Sequence, residues 1–415
     1  MNFFKDTFFV ANISKKCYNI QMINNIKTIG IVGGGQLGKM MILDAKRLGF
    51  RIAVLDPAKD CPCHAISDEH IVKGFDDLDG YLELAKKSDV ITYEFEHINV
   101  AHLEELVKRG HTIYPSVASL KVIQDKLWQK EALSKAGIAV PKFEAAKNID
   151  DLYAYYDRTQ KPFFLKSRRD GYDGKGNYMV RDRADIAKGY ERLIGKGAKQ
   201  DTSDRLMIEE LAHFEKEVSV IATRGQDGEC VIYPIAENVH KNSILDTTVV
   251  PAAVSKKIVG KIMDIAKQVM ECFGGVGTFC AELFVNEKRG EVMVNEVAPR
   301  VHNTGHYTIE AVRTSQFENH IRAIAGLGLG STEMVVGASI MKNIIGGDGQ
   351  DGVVAYTGIE QAYKISGVNV HIYGKNEVKE GRKMGHMTMT GKSVKDVWGK
   401  LDKVNVETTV RSKNG

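Results

Sequence analysis

No apolar run in this chain of 415 residues reaches the roughly 18 residues that a membrane-spanning helix needs, so no spanning segment is expected. Cysteine is sparse. Cys17, Cys61, Cys63, Cys230, Cys272 and Cys280 are too scattered for a disulfide framework, and a chain this long does not need one. Cys61-Pro-Cys63-His64 has the outline of a metal corner, but no second ligand pair follows at zinc spacing, and it reads as a surface loop. An excess of one charge is also lacking. Lys and Arg number 57 against 53 Asp and Glu, with no basic stripe, so no nucleic-acid partner is expected. Internal repeats and low-complexity blocks are missing. The glycine-rich segment Lys166–Gly176 is not a Walker loop, because no Gly-Lys-Ser/Thr within it opens a helix. Residues 1–26 carry no clear cleavage site and are read as a disordered N-terminal extension, not a signal peptide, which leaves a cytoplasmic protein.

What is present is the pattern of a globular chain of two or three domains. Thr28–Val32 and Arg51–Leu55 read as strands around a helix at Lys39–Leu48, with Val90–Phe95 and His111–Tyr114 as later strands. This alternation predicts an open, mainly parallel α/β sheet. A helix over Ser119–Gly137 closes the unit. Phe163–Ser167, Arg205–Glu210, Glu217–Thr223 and Cys230–Glu237 then read as strands of an antiparallel sheet. Ser255–Phe273 has helical spacing, Gly277–Val285 and Glu291–Val297 form a hairpin, and a helix covers Gln316–Ala325. After Gly326–Ser331 comes a small α+β region with strands near Val335–Ile340, Asn369–Tyr373 and Lys383–Thr390.

Four segments carry chemistry. Gly33, Gly35 and Gly38 follow a strand in the order of a dinucleotide fingerprint, with Asp56 ending the next strand. Such a turn also holds other phosphates, or merely closes a strand–helix corner. Lys166 ends a strand and leads into Asp170-Gly171-Tyr172-Asp173-Gly174-Lys175-Gly176, a loop of amides and cations suited to a polyphosphate. Glu282 and Glu296 sit among apolar neighbours in adjacent strands, with Asn295 beside them. Two inward carboxylates are costly unless hard cations such as Mg²⁺ bridge them to phosphates. Arg300, His302 and Asn303 follow directly, and Arg offers fork geometry for a small planar anion.

Taken in order, these segments resemble the ATP-grasp ligases over about residues 27–411, and within them the N5-carboxyaminoimidazole ribonucleotide synthetase family. Gly33–Met40, Asp170–Gly176 and Ala298–His306 carry the resemblance. It implies an ATP-grasp fold of mixed α/β and α+β class. The expected divisions are an open parallel α/β pre-ATP-grasp domain at 27–124, the ATP-grasp domain at 125–328 and a small α+β domain at 329–415. It further implies that ATP is held by Lys126, Lys166, the loop Asp170–Gly176, Glu209, Glu210, Leu211, Ala212, Glu217, His240, Asn295 and Glu296. Glu282, Asn295 and Glu296 would hold two Mg²⁺ ions. Gly35, Gln36, Leu37, Glu94, Tyr172, Lys375 and Arg382 would bind aminoimidazole ribonucleotide. Arg300, His302 and Asn303 would surround bicarbonate, with Asp173 and Lys175 as further catalytic groups and Asp173 as a candidate base. A homodimer is the implied assembly. The chain departs from the family pattern at Asp170, where glycine is usual. A different ATP-grasp ligase, a nicotinamide oxidoreductase and a non-catalytic nucleotide sensor are the alternatives. The first fits Tyr172–Lys175 and Arg300–His306 less well, and the second leaves Lys166–Gly176, Glu282 and Glu296 without a role.

Overall fold

The computed structural model describes residues 27–169, 171, 176–195 and 205–411. The expected extension at 1–26, Asp170 and Tyr172–Lys175 therefore lie outside the described residues. The chain opens with a parallel sheet of β1 (Thr28–Val32), β2 (Arg51–Leu55), β3 (Glu69–Ile71) and β4 (Val90–Tyr93), in the order β3-β2-β1-β4. β4 is buried at every position, the near-continuous apolar run of a parallel strand covered on both faces. His111–Tyr114, read as a strand, contributes only a bridge between Ile113 and Ile91. The first helix spans Gln36–Arg47 and so starts inside the glycine turn, three residues before the expected Lys39, with Gly35 as its N-cap.

The single helix expected over Ser119–Gly137 is two, Val117–Ile123 and Lys126–Lys135. Asp125 makes the break. Its side chain caps the second helix by accepting from Leu127 N at 3.1 Å and Trp128 N at 3.3 Å. An antiparallel sheet follows: β5 (Phe143–Ala146), β6 (Phe163–Ser167), β7 (Asn177–Val180) and β8 (Leu206–Glu210), in the order β5-β8-β6-β7. β6 and β7 flank the glycine loop.

The remaining strands are β9 (Lys216–Arg224), β10 (Cys230–Ile232), β11 (Ala236–Lys241), β12 (Ile244–Val250), β13 (Gly277–Asn286), β14 (Glu291–Ala298), β15 (Ala338–Ile345), β16 (Asp351–Thr357), β17 (Val368–Ile372), β18 (Glu377–Lys379), β19 (Lys383–Gly391) and β20 (Glu407–Val410). The strand expected over Cys230–Glu237 divides into β10 and β11 around Pro234, which has no N–H for a ladder. The path β14-β13-β9-β11-β12-β15-β19-β17, with β10 on β9, makes one nine-stranded sheet. C-terminal strands therefore continue the central sheet through the β12–β15 ladder, Thr247–Val250 against Ser339–Lys342.

Helix Lys256–Phe273 lays Ile258, Ile262, Ala266, Val269, Met270 and Phe273 on this sheet, the i, i+4 spacing of an amphipathic face. Ser255 caps its start, and Gly274, at φ 59°, ends it. A second core joins Met41 and Ile42 of the first helix to Phe317 and Ile321 of helix Gln316–Ile324. All four are essentially buried, each contributing about 1.5–3 kcal/mol to locking the parallel unit onto the central sheet.

Candidate functional site

A cavity of about 840 Å³ lies where the three regions meet. Its walls include Gln36, Leu37 and Glu94 of the parallel unit, Lys166 and Glu209 of the four-stranded sheet, Glu282 and Glu296 of the nine-stranded sheet, and Lys383 of β19.

The glycine turn is shaped by close approach. Gly33 has φ +100°, and a Cβ there would lie 2.5 Å from Glu94 Cγ. A Cβ on Gly35 would meet Glu94 Oε1 at 2.5 Å. The Glu94 carboxylate sits on the helix N-terminus, accepting from the amides of Gly35 and Gly38, the latter at 2.7 Å. Gly34 N donates to Asp56 Oδ2 at 2.8 Å. Three amides of the turn thus face the protein's own carboxylates, while those of Gln36 and Leu37 have no acceptor among the described residues.

Lys126, first residue of its helix, pairs with Glu296 at 2.6 Å, and its N–H donates to Arg168 O at 2.8 Å. Lys166 pairs with Glu209 at 2.5 Å. The other oxygen of Glu209 meets Lys130 at 2.7 Å, and Lys130 also donates to Asn295 O at 3.1 Å. Burial would raise the Glu209 carboxyl, but Lys166 and Lys130 outweigh it and hold it below the usual range. Burial, only partly offset by Glu209, lowers Lys130 to about 8. The glycine loop is pinched at its base: Ser167 N donates to Gly176 O at 2.8 Å, and a Cβ on Gly176 would lie 2.6 Å from Gly171 Cα.

Glu282 and Glu296 stand directly opposite each other across the β13–β14 ladder. A β-bulge follows: Leu283 pairs with Val294, leaving Asn295 as the extra residue. Strict alternation would send neighbours Asn295 and Glu296 to opposite faces. With the bulge both line the cavity. Burial and the adjacent Glu296 push Glu282 up to about 7. Burial acts on Glu296 in the same sense, but Lys126, Lys166 and Lys130 prevail and keep it low.

Arg300 pairs with Glu96 at 2.8 Å and donates through Nη1 to Val301 O at 2.9 Å. Its Nε is buried without a hydrogen-bond partner among the described residues. His302 lies 3.6 Å from Glu282 and 3.0 Å from Thr304 Oγ1, and burial followed by Arg300 drives its pKa well down, so the ring is neutral at pH 7. Asn303 exchanges two hydrogen bonds with Asn343, at 3.0 and 2.9 Å. His240 pairs with Glu217 at 2.8 Å. Phe214 and Phe284 stack at 4.3 Å and form an apolar wall.

Most of the sequence-predicted residues therefore converge. Four take other positions. Gly35 serves as the N-cap of the first helix. Glu210 turns towards Tyr155 and Lys142, at 3.5 and 3.6 Å. Lys375 Nζ donates to Lys383 O at 2.7 Å, and Arg382 to Glu377 O at 2.8 Å, while the neighbouring Lys383 lines the cavity. Asp170, Tyr172, Asp173, Gly174 and Lys175 fall outside the described residues. Glu96, Lys130, Phe214, Phe284 and Lys383 were missed. Lys130 was open to discovery, one helical turn after Lys126 on the same face. Phe284 was as well, two positions from Glu282 in one strand.

Known proteins match this chain over most of its length. Residues 26–124 match the ribonucleotide synthetase preATP-grasp domain, 131–317 the ATP-grasp domain, and 339–399 the phosphoribosylaminoimidazole carboxylase C-terminal domain. The N5-carboxyaminoimidazole ribonucleotide synthase of Bacillus subtilis is 39% identical over 379 residues, 91% of this chain and 95% of that protein. The crystal structure of the Thermotoga maritima synthetase superposes with a TM-score of 0.82 at 39% identity, covering 93% of this chain and 100% of that one. The Aspergillus clavatus synthase, solved with ADP and 5-aminoimidazole ribonucleotide, gives a TM-score of 0.81 at 35% identity, covering 91% of this chain and 97% of that one. On fold, site and sequence together, the chain belongs to the N5-carboxyaminoimidazole ribonucleotide synthase family of ATP-grasp ligases.

Proposed function

We infer that this protein carboxylates 5-aminoimidazole ribonucleotide with bicarbonate at the expense of ATP, giving N5-carboxyaminoimidazole ribonucleotide, ADP and phosphate in purine biosynthesis. One observation carries the reading: the cation Arg300 and neutral His302 line the same cavity as the opposed carboxylates Glu282 and Glu296 and the lysines Lys126 and Lys166. Bicarbonate is a poor electrophile, and transfer of the γ-phosphoryl group to one of its oxygens supplies a leaving group. Lys126 and Lys166 bind and orient the phosphates. The strand end Glu209–Ala212 meets the adenine edge, and Glu217 and His240 take the ribose side. Arg300 and His302 orient bicarbonate, with Asn303 holding the segment through Asn343. The ribonucleotide's phosphate lies at the free amides of Gln36 and Leu37, beside Glu94. Exclusion of water protects the labile carboxyphosphate until the exocyclic amine takes up the carboxyl group.

Glu282, Glu296 and Asn295 are a fitting donor set for Mg²⁺. They are hard oxygen ligands, and the burial and repulsion from Glu296 that together raise Glu282 are what a divalent cation offsets. Bound there, two ions would neutralise charge on the phosphates. The reading includes a cytoplasmic homodimer, which light scattering on the purified chain checks.

The chemistry is tested with bicarbonate carrying heavy oxygen. One bicarbonate oxygen stays on phosphorus when carboxyphosphate breaks at its C–O bond, so released phosphate carries label when exchange with water is kept short. Unlabelled phosphate during verified turnover would overturn the reading.

A further inference from the structure

The segment that follows β4 places two carboxylates on two anion-binding positions of the cavity. Glu94 covers the Gly35 and Gly38 amides at the N-terminus of the first helix, where the positive end of the helix dipole favours an anion. Glu96, two residues on, occupies the Nη2 corner of Arg300. A planar anion binds a guanidinium best through two parallel N–H groups. On the Nε–Nη2 edge one is taken by Glu96 and the other, Nε, is buried and has no partner among the described residues. Glu96 thus supplies half of what a bidentate anion would supply, and the orphaned Nε marks the missing half. The same segment is tied to its surroundings at Glu94 and through its backbone carbonyls. Gly33 packs against Glu94 and Phe95, and Gln124 Nε2 donates to Ile98 O at 2.8 Å.

We propose that Glu96 is an internal competitor for the bicarbonate position on Arg300, and that binding of the ribonucleotide phosphate at the Glu94-covered helix terminus weakens its hold. A second anion at that terminus is repelled by Glu94, and the displacement that relieves this is passed along two residues to Glu96. Bicarbonate then engages both N–H groups of the exposed edge. The consequence is order: carboxyphosphate forms readily only when its acceptor is present, which limits futile ATP hydrolysis. Because coupling between sites is reciprocal, bicarbonate in turn tightens the ribonucleotide.

This inference rests on the function proposed above, and its test separates the two. The apparent KM for bicarbonate is measured in the wild type and in Glu96→Gln at several concentrations of aminoimidazole ribonucleotide. ATP hydrolysis with bicarbonate alone is measured beside it. In the wild type the bicarbonate KM falls as ribonucleotide rises, by about tenfold, within the usual span of coupling between sites. In Glu96→Gln it is low throughout, and hydrolysis without ribonucleotide rises by a similar factor. This gain cannot come from a damaged fold. Glu96→Asp, which keeps the charge on a shorter arm, retains the dependence on ribonucleotide. A bicarbonate KM that is raised in Glu96→Gln, or that is independent of ribonucleotide in the wild type while product forms, overturns the internal competitor and leaves the function standing. Absence of carboxylated product from the wild type overturns the function itself.

Discussion

Single residues set the charge balance of the cavity. The site gathers three lysines around two carboxylates: Lys126 on Glu296, and Lys130 with Lys166 on Glu209. A buried carboxylate held between two ammonium groups keeps its charge, whereas Glu282, which faces Glu296, is pushed towards neutrality. Glu282→Gln and Glu296→Gln keep size and hydrogen bonding but remove a charge. Each is expected to stay folded and to lose at least about 100-fold in turnover, the scale of losing one preorganised electrostatic group. Near-normal turnover of both variants at saturating Mg²⁺ would remove these residues from the phosphate chemistry. Lys126, Lys166, Glu209, Glu282 and Glu296 were legible in the sequence because each sits in a short motif, whereas Lys130 was missed. The pairing was not legible, because Glu209 and Lys130, or Glu96 and Arg300, meet only through space.

At the scale of elements, the helix beginning at Lys126 is the clearest case of local chemistry serving the site. Asp125 is fully buried, caps that helix, and accepts from Arg168 Nε at 2.9 Å and Nη2 at 2.7 Å. The pair binds the helix that carries Lys126 to the strand end that carries Lys166. Asp125→Ala removes the cap and takes the carboxylate from a buried guanidinium, at an expected cost of about 3–5 kcal/mol. Asp125→Asn retains the cap and is expected to lose less. Urea unfolding of the three proteins checks this, and an Asp125→Ala midpoint equal to the wild type would refute it. The sequence pattern ran Ser119–Gly137 together as one helix because its apolar spacing scarcely falters at Gln124-Asp125. Periodicity sees side-chain spacing, while the break is made by a backbone turn that Asp125 stabilises. The bulge at Asn295 escaped for a related reason: strand alternation cannot show where a ladder gains a residue.

Across the whole molecule, three buried histidines join regions distant in sequence. His320 bridges Thr92 of β4, at 2.8 Å, and the Thr278 amide of β13, at 3.1 Å. His306 and His386 lie with ring centroids 4.6 Å apart, between the Arg300–His306 segment and β19. Burial lowers all three, His320 to about 3, so they are neutral in the fold at pH 7. Unfolded, each takes up a proton near pH 6.5, so below that value the unfolded chain binds more protons and stability falls as the pH drops. Each contributes about 1.4 kcal/mol per pH unit within that window. Denaturant unfolding at pH 7.5 and 5.5 is expected to show the loss, and His386→Asn to reduce its slope by about one proton. A slope unchanged in His386→Asn would mean that this ring does not titrate as described.

The sequence alone determined the kinds of chemistry available: a glycine turn after a strand, a glycine-rich cationic loop, two acids in apolar strands and an Arg-x-His-Asn segment beside the second. These features are local, since glycine conformation, strand alternation and helix caps depend on a few neighbouring residues. Tertiary structure alone decided their use. It turned Asn295 and Glu296 to one face, set Glu96 on Arg300, and gave Lys383 rather than Arg382 to the cavity. It also ran β15, β19 and β17 onto β12, so that strands of the C-terminal region continue the central sheet. Charge pairing and strand pairing depend on distance through space and on burial, and both exist only once remote segments have packed together.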